Sequence, residues 1–198
     1  MSYLSLDLSL SSTGYSVFSD DGKLLTHNKV VPDKGLDNAT KIHFIVGKLK
    51  ELFTNVDMLL IEDLYVNLNP KAVIWLARLS GGVIFSWMDT KYKAPKLYQA
   101  IQARPLAGIK GNAHKAEIQM FILEKYKKVP YAQIKKYKTE FNSLKAQYSV
   151  KKLTKSQYNY AKDKLSLQIE TETGLGEDEA DSIIIGLAYA TEVKRRRR

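Results

Sequence analysis

The run Val56–Ile61, VDMLLI, sets the tightest limit on the fold. It is too short for an ordinary helix, and its apolar residues fall on both sides of an extended chain, as in a strand covered on both faces. Such a strand needs structure packed on each side of a sheet, which makes this an α/β chain. The flanking segments supply the pieces. Tyr3–Leu10 alternates, with Leu4, Leu6 and Leu8 facing one way and Ser5, Asp7 and Ser9 the other, so it reads as a strand. Thr13–Ser19 is a second strand, and the Asp20-Asp21-Gly22 turn leads into a third over Lys23–Val31, completing an antiparallel meander. Within Asp37–Phe53 the residues Ile42, Ile45, Val46, Leu49 and Phe53 recur at helical spacing. Pro70–Met88 is a long, mostly apolar helix whose Gly81-Gly82 pair would admit another backbone closely. Lys91–Gln99 is expected as the fifth strand and Ala113–Tyr126 as a further helix.

Between Tyr126 and Glu170 the composition shifts: 11 Lys, 3 acids and 6 of the protein's 12 Tyr, with almost no aliphatic periodicity. Two short helices joined near Val150–Thr154 are expected there. Core character returns after Gly174 and Gly176 in EDEADSIIIGLAYATEV, a helix with an acidic first turn, and KRRRR (194–198) follows as a basic tail. The order three strands, helix, strand, helix, strand, helices fits a five-stranded mixed sheet arranged 3-2-1-4-5 and flanked by helices, as in ribonuclease H-like folds, though several α/β folds share these parts. At 198 residues one domain over 1–198, with a helical Lys/Tyr-rich insertion at about 126–170, accounts for the chain.

Without cysteine there is no disulfide, thiolate metal site or Cys nucleophile, which fits a cytoplasmic compartment. The N-terminus lacks the form of a signal peptide, and no window approaches the ~18 consecutive apolar residues of a membrane span; a soluble protein is expected. Thirty-one Lys and Arg against 21 Asp and Glu give a formal +10, which favours a polyanionic partner, nucleic acid before membrane surface.

Four carboxylates fall where a core should exclude them. Asp7 lies within the first strand, Glu62 ends VDMLLI, and Asp178 and Asp181 sit three apart on one face near the start of the last helix. Singly, each has an ordinary explanation: hydrogen bonds from the Ser-rich turn for Asp7, a solvated strand end for Glu62, the helix dipole for the other two. Together, with strands one and four adjacent and the last helix across that edge, they would converge. Like charges so placed need a compensating cation. With no Cys, and with His27, His43 and His114 in different elements, that cation is hard and oxygen-liganded: two Mg²⁺ per site, with Mn²⁺ able to substitute.

Four blocks in order then resemble the RuvC-type Holliday junction resolvases of the ribonuclease H-like superfamily: LSLDLSLSSTGYSVF, LLIEDLYVNLNPKAVIWLARLSGGVI, YQAIQARPLAGIKGNAHKAEIQMFI and DEADSIIIGLA. The resemblance implies that Asp7, Glu62, Asp178 and Asp181 are the metal-binding catalytic acids and that Lys115 stands near the scissile phosphate. It implies DNA contacts at Tyr65, whose ring would stack on bases, and at Arg104, Lys110, Asn112 and Lys115. Arg104 stands where the family often has Lys, replacing a point charge by a planar fork. The implied activity is structure-selective, Mg²⁺-dependent cleavage of four-way junctions and other branched DNA, leaving 5′-phosphate and 3′-hydroxyl ends. The implied assembly is a homodimer, with Pro70–Met88 as the candidate interface. The long 126–170 segment departs from the family and suggests a phage or viral member. Three other readings stay open at this point: a related nuclease acting on RNA or RNA–DNA hybrid, a non-cutting junction-binding accessory protein, and an actin-like ATPase or sugar kinase, which would need a second lobe.

Overall fold

The computed structural model describes residues 2–63 and 70–196. Its strands are β1 (Ser2–Asp7), β2 (Thr13–Ser19), β3 (Leu24–Val30), β4 (Met58–Glu62) and β5 (Lys96–Tyr98). Its helices are α1 (Asn38–Phe53), α2 (Pro70–Lys91), α3 (Ala100–Ala107), α4 (Lys115–Lys125), α5 (Tyr131–Ser149), α6 (Lys155–Thr173) and α7 (Glu177–Arg196). The sheet order is β3-β2-β1-β4-β5. β1 pairs antiparallel with β2 and parallel with β4, and β5 lies parallel to β4 at the edge.

Period-two alternation divides the side chains of β1 and β4 between two cores. Leu4, Leu6, Leu59 and Ile61 face α1 and α2, where Ile45, Leu49, Phe53, Val83 and Trp87 are buried. Trp87 meets Phe53 edge-on at 5.4 Å, and burying a side chain of that size stabilises the fold by about 1.5–3 kcal/mol. Tyr3 and Leu60 face the opposite way, into a core shared with α3, α4, α7 and the α5–α6 hairpin. The residues that follow this second set in register, Asp7 and Glu62, therefore point to the α7 side.

Three expectations need correction. The fifth strand shrinks to three residues because α2 runs on to Lys91, and α3, unexpected from the sequence, follows at once. The helices of the insertion are long, 19 residues each, not short. Their apolar seam is sparse but real: Ile134, Tyr137 and Phe141 on α5 and Leu165 and Ile169 on α6 are buried at helical spacing. Tyr137 carries part of that seam, so counting aliphatics alone missed it. Lys194–Arg196 form the last turn of α7 rather than a tail, where their charge complements the helix dipole; Arg197 and Arg198 lie outside the described residues. Gly174, at φ 73°, ends α6 in a left-handed conformation and turns the chain into α7. Among the described residues no helix is long and apolar enough to cross a membrane.

Candidate active site

Asp7 is the last residue of β1 and Glu62 the last of β4, each one step beyond the paired Leu6 and Ile61 on neighbouring parallel strands. The first turn of α7 supplies Asp178 and Asp181. What lets that turn reach the sheet is Gly14, which pairs with Asp7 across β1 and β2. The peptide between Asp178 and Glu179 lies directly over Gly14, so that a Cβ added there would stand 2.1 Å from the Asp178 carbonyl oxygen. Gly186 gives the same close approach further along, against the ring of Phe18. The Tyr3 hydroxyl donates to the Gly186 carbonyl at 3.2 Å and fixes the helix along its axis. An isolated glycine within a strand signals such an approach; that signal was present at Gly14 and went unread in the sequence.

The four carboxylates repel one another. Burial, then the charges of Glu62, Asp181 and Asp178, push Asp7 well above the usual carboxyl range, with Lys115 opposing. Burial and Asp181 raise Glu62 to about 7, against the pull of Arg104. Asp181 and Asp178 are raised too, chiefly by burial, the first eased by Arg104 and the second by Ser12. Among the described residues no three acidic or imidazole side chains close on one point as a finished metal cage. Two of the acids are turned to protein partners instead: Asp181 accepts from Arg104 Nη2 at 3.4 Å, and Asp178 lies beside the buried Ser12 hydroxyl, which has no other partner among the described residues. The donor set, all carboxylate oxygen and raised chiefly by burial and then by one another's charge, fits a hard divalent cation.

The sign of the resulting pH dependence follows directly. The folded protein holds protons on Asp7 and Glu62 that the unfolded chain releases near pH 4, so stability falls as pH rises from about 4 through about 7. For Glu62 alone the loss across that window is roughly 3 kcal/mol. Melting of chelator-treated protein should therefore drop between about pH 5 and 8, and Mg²⁺ should restore it at the upper end. A melting temperature that rises with pH, or that ignores Mg²⁺, would contradict this account.

The cations around the site have distinct places. Lys115 opens α4, which His114 and Glu117 cap reciprocally, and its ammonium pairs with Glu177. The Ser166 hydroxyl of α6 lies 3.0 Å from Glu177 and 2.7 Å from Gln119 Oε1, with one proton to share between the two acceptors. Neither Glu177 nor Ser166 stood out in the sequence as a partner of the site, since only the tertiary fold brings them to Lys115. Arg104, expected to meet DNA, points inward: besides Asp181 it donates to the carbonyls of Gly111 and Ala113, both at 3.3 Å. Lys110 and Asn112 are exposed on the α3–α4 turn next to Lys115. Tyr65 lies outside the described residues. His27 pairs with Glu179 and His114 with Asp163, so neither imidazole joins the carboxylates. A cleft of about 230 Å³ lined by Glu62, Gln99, Ile101, Arg104 and Gly111 opens the site to solvent.

The model of the family described as crossover junction endodeoxyribonuclease RuvC matches residues 3–133. Relatives bearing that description include one from Polynucleobacter necessarius, 24% identical over 124 residues, or 62% of this chain and 73% of the relative. Another, from Polaromonas naphthalenivorans, is 28% identical over 132 residues, covering 62% and 71% of the two chains. In three dimensions the chain is similar to Thermus thermophilus RuvC, with a TM-score of 0.58 at 15% identity over 99% of this chain and 97% of the other. The same protein in complex with a Holliday junction substrate gives 0.59 at 11% identity over 98% and 96%. At those identities the likeness is one of fold. The sequence match ends three residues into α5, so it does not reach Asp178 and Asp181; those two join the site through the packing of α7.

Proposed function

Because the chain belongs to the crossover junction endodeoxyribonuclease RuvC family, we propose that it resolves four-way DNA junctions by hydrolysing phosphodiester bonds at Asp7, Glu62, Asp178 and Asp181. The observation that carries this reading is the placement of two strand-end carboxylates and the acidic first turn of α7 on one side of the sheet, their acidity weakened by burial and then by one another's charge. These four residues would hold Mg²⁺, two per site with Mn²⁺ as a substitute, and the bound metal supplies charge stabilisation to the phosphate and activation of the attacking water. The rigid central strand holds Asp7 in place, and Arg104 keeps Asp181 oriented. Lys115 offers positive charge at the rim, where charge develops on the phosphate during cleavage, and exchanging Glu177 for a phosphate oxygen would preserve its ion pairing.

A groove of about 580 Å³ at the carboxyl end of β1, with an apolar floor of Leu8, Leu10 and Leu76, also carries Ser11, Lys41 and Trp75, a hydroxyl, a cation and an aromatic face that suit a nucleic-acid strand. Paired cuts across a junction need two sites related by symmetry, hence a homodimer. Its interface is α2, where Ile74, Phe85 and Met88 are 50%, 75% and 45% exposed on a helix whose other side buries Leu79, Val83 and Trp87. A cytoplasmic setting fits a cysteine-free nuclease of this kind.

The test is cleavage of synthetic substrates. With Mg²⁺, a four-way junction should be nicked in opposed strands to give religatable ends, a linear duplex of the same sequence should stay intact, and chelator should stop the reaction. Uniform cutting of linear duplex, or preferential cutting of an RNA–DNA hybrid, would overturn the assignment.

A further inference from the structure

The α5–α6 hairpin begins where the family match stops, and its ion pairs show which way it points. Lys138 meets Glu124 at 2.7 Å and Lys145 meets Glu117 at 2.8 Å, so α5 runs antiparallel to α4, seven residues against seven. Two residues further, α5 is level with Lys115. Tyr148, Ser149 and the turn at 150–154 thus stand beyond the end of α4 that carries the lysine. On the return, Tyr158 of α6 stacks on Tyr148 and Asp163 lies 3.2 Å from His114. Lys155 precedes Tyr158 by three residues, roughly 4.5 Å of helix at 1.5 Å per residue, and the turn at 150–154 extends further. The hairpin tip therefore overhangs the edge of the molecule that bears Lys110, Asn112 and Lys115.

The tip is ordered and cationic. Lys151 and Lys152 donate backbone N–H to Tyr148 and Gln147 at 3.0 and 2.9 Å, closing α5, and Thr154 with Gln157 forms a capping box that starts α6. The rings of Tyr148 and Tyr158 stack at 4.5 Å, 5° from parallel, and tie the two helices together. Lys162 sits over the Tyr158 ring at 4.4 Å. Lys151, Lys152 and Lys155 are exposed and, unlike Lys138 and Lys145, have no acidic partner among the described residues. Three unpaired like charges within five residues, on a braced support, form a surface that a polyanion would neutralise.

We propose that this tip is a second nucleic-acid contact, gripping the sugar–phosphate backbone of a duplex arm beside the cleavage point through Lys151, Lys152 and Lys155. The proposal rests on the junction-cleaving reading of the carboxylates. Contacts of this kind position DNA without reading its sequence, and each neutralised phosphate adds about 0.9 to the slope of log affinity against log salt.

The experiment measures binding of a fluorescent synthetic four-way junction between about 50 and 200 mM salt, using the full chain with catalysis blocked by Ca²⁺ or chelator. The combined variant Lys151→Ala, Lys152→Ala, Lys155→Ala should bind about tenfold more weakly and lower the salt slope by about 2–3. Once bound at saturating enzyme and supplied with Mg²⁺, it should cleave at the parent rate. Removing Lys48, Lys50 and Lys93, at the opposite end of the sheet, takes away the same formal charge and should leave the slope unchanged. Parent-like slope and affinity in the tip variant, or an equal loss in the far-end control, would overturn the proposal while leaving the nuclease reading intact. A parent that binds junctions through the tip but never cuts them would sink the nuclease reading alone, and a parent that binds no DNA would sink both.

Discussion

Replacing Asp7 by Asn should reduce junction cleavage by more than about a thousandfold while leaving junction binding within a few-fold of the parent. The side chain keeps its shape and one acceptor oxygen but loses the charge that repels Glu62, Asp181 and Asp178 and that would anchor a divalent cation. Asp7 is the central member of the set: it ends the middle strand of the sheet, lies opposite Gly14 on one side, and is level with Glu62 on the other. The exposed Lys110, Asn112 and Lys115, proposed to face DNA, are untouched by the change.

The same substitution should act in the opposite direction on stability. Burying a carboxylate among three others is costly, and Asn removes that cost. In chelator, denaturant unfolding should show Asp7→Asn more stable than the parent at neutral pH by about 1–3 kcal/mol. With Mg²⁺ present the gap should narrow or reverse, since only the parent gains from the cation. A variant that binds and cuts like the parent would remove Asp7 from the chemistry. A variant that is less stable in chelator would mean the residue is structural and that the four acids do not repel as described.

How much of this could be read in the chain depends on whether a feature is local. The alternation Leu4, Leu6, Leu8 against Ser5, Asp7, Ser9 told which side of the sheet Asp7 would face, because a strand leaves no freedom in that respect. The sheet order and the grouping of β1 and β4 with α7 were compatible with the element order, which several α/β folds share, and rested on the likeness to the ribonuclease H-like arrangement. The hairpin helices were undervalued because Tyr137 serves as a core residue there, fully buried on α5 although its hydroxyl still reaches Glu172 at 2.6 Å. α3 has only eight residues and an internal Pro105, too little pattern to distinguish it from a loop. Arg104 was placed at the DNA by the resemblance; its partners within the chain, Asp181 and the carbonyls of Gly111 and Ala113, come from α7 and the following turn and could not be read from sequence. The Ser166–Glu177–Lys115 chain spans three helices and is invisible before they pack.

Gly14→Ala tests the part of the site that no charge argument reaches. A methyl group at this position would meet the Asp178 carbonyl oxygen at 2.1 Å, its carbon at 2.2 Å and the Glu179 nitrogen at 2.7 Å. All three are backbone atoms, so no side chain can swing aside to make room. Either the first turn of α7 lifts from β2 or the strand bows beneath it, at a cost of about 1–3 kcal/mol or more. Ile183, Ile184 and Leu187 keep the rest of α7 in its core, so the displacement should concentrate where Asp178 and Asp181 are carried. Misplacing reacting groups by about 1 Å lowers rates on the order of a hundredfold, and that is the expected loss in cleavage, with the chain still folded and still binding junction DNA. Gly47→Ala provides the contrast: a Cβ there meets nothing within 4 Å, and relief of helical glycine should stabilise α1 by about 0.5–1 kcal/mol with cleavage unchanged. If Gly14→Ala cleaves at the parent rate, the close seating of α7 on β2 is not what assembles the four carboxylates. If Mg²⁺ stabilises that variant as strongly as it does the parent, the acids are still held together, and the loss of rate must come from elsewhere.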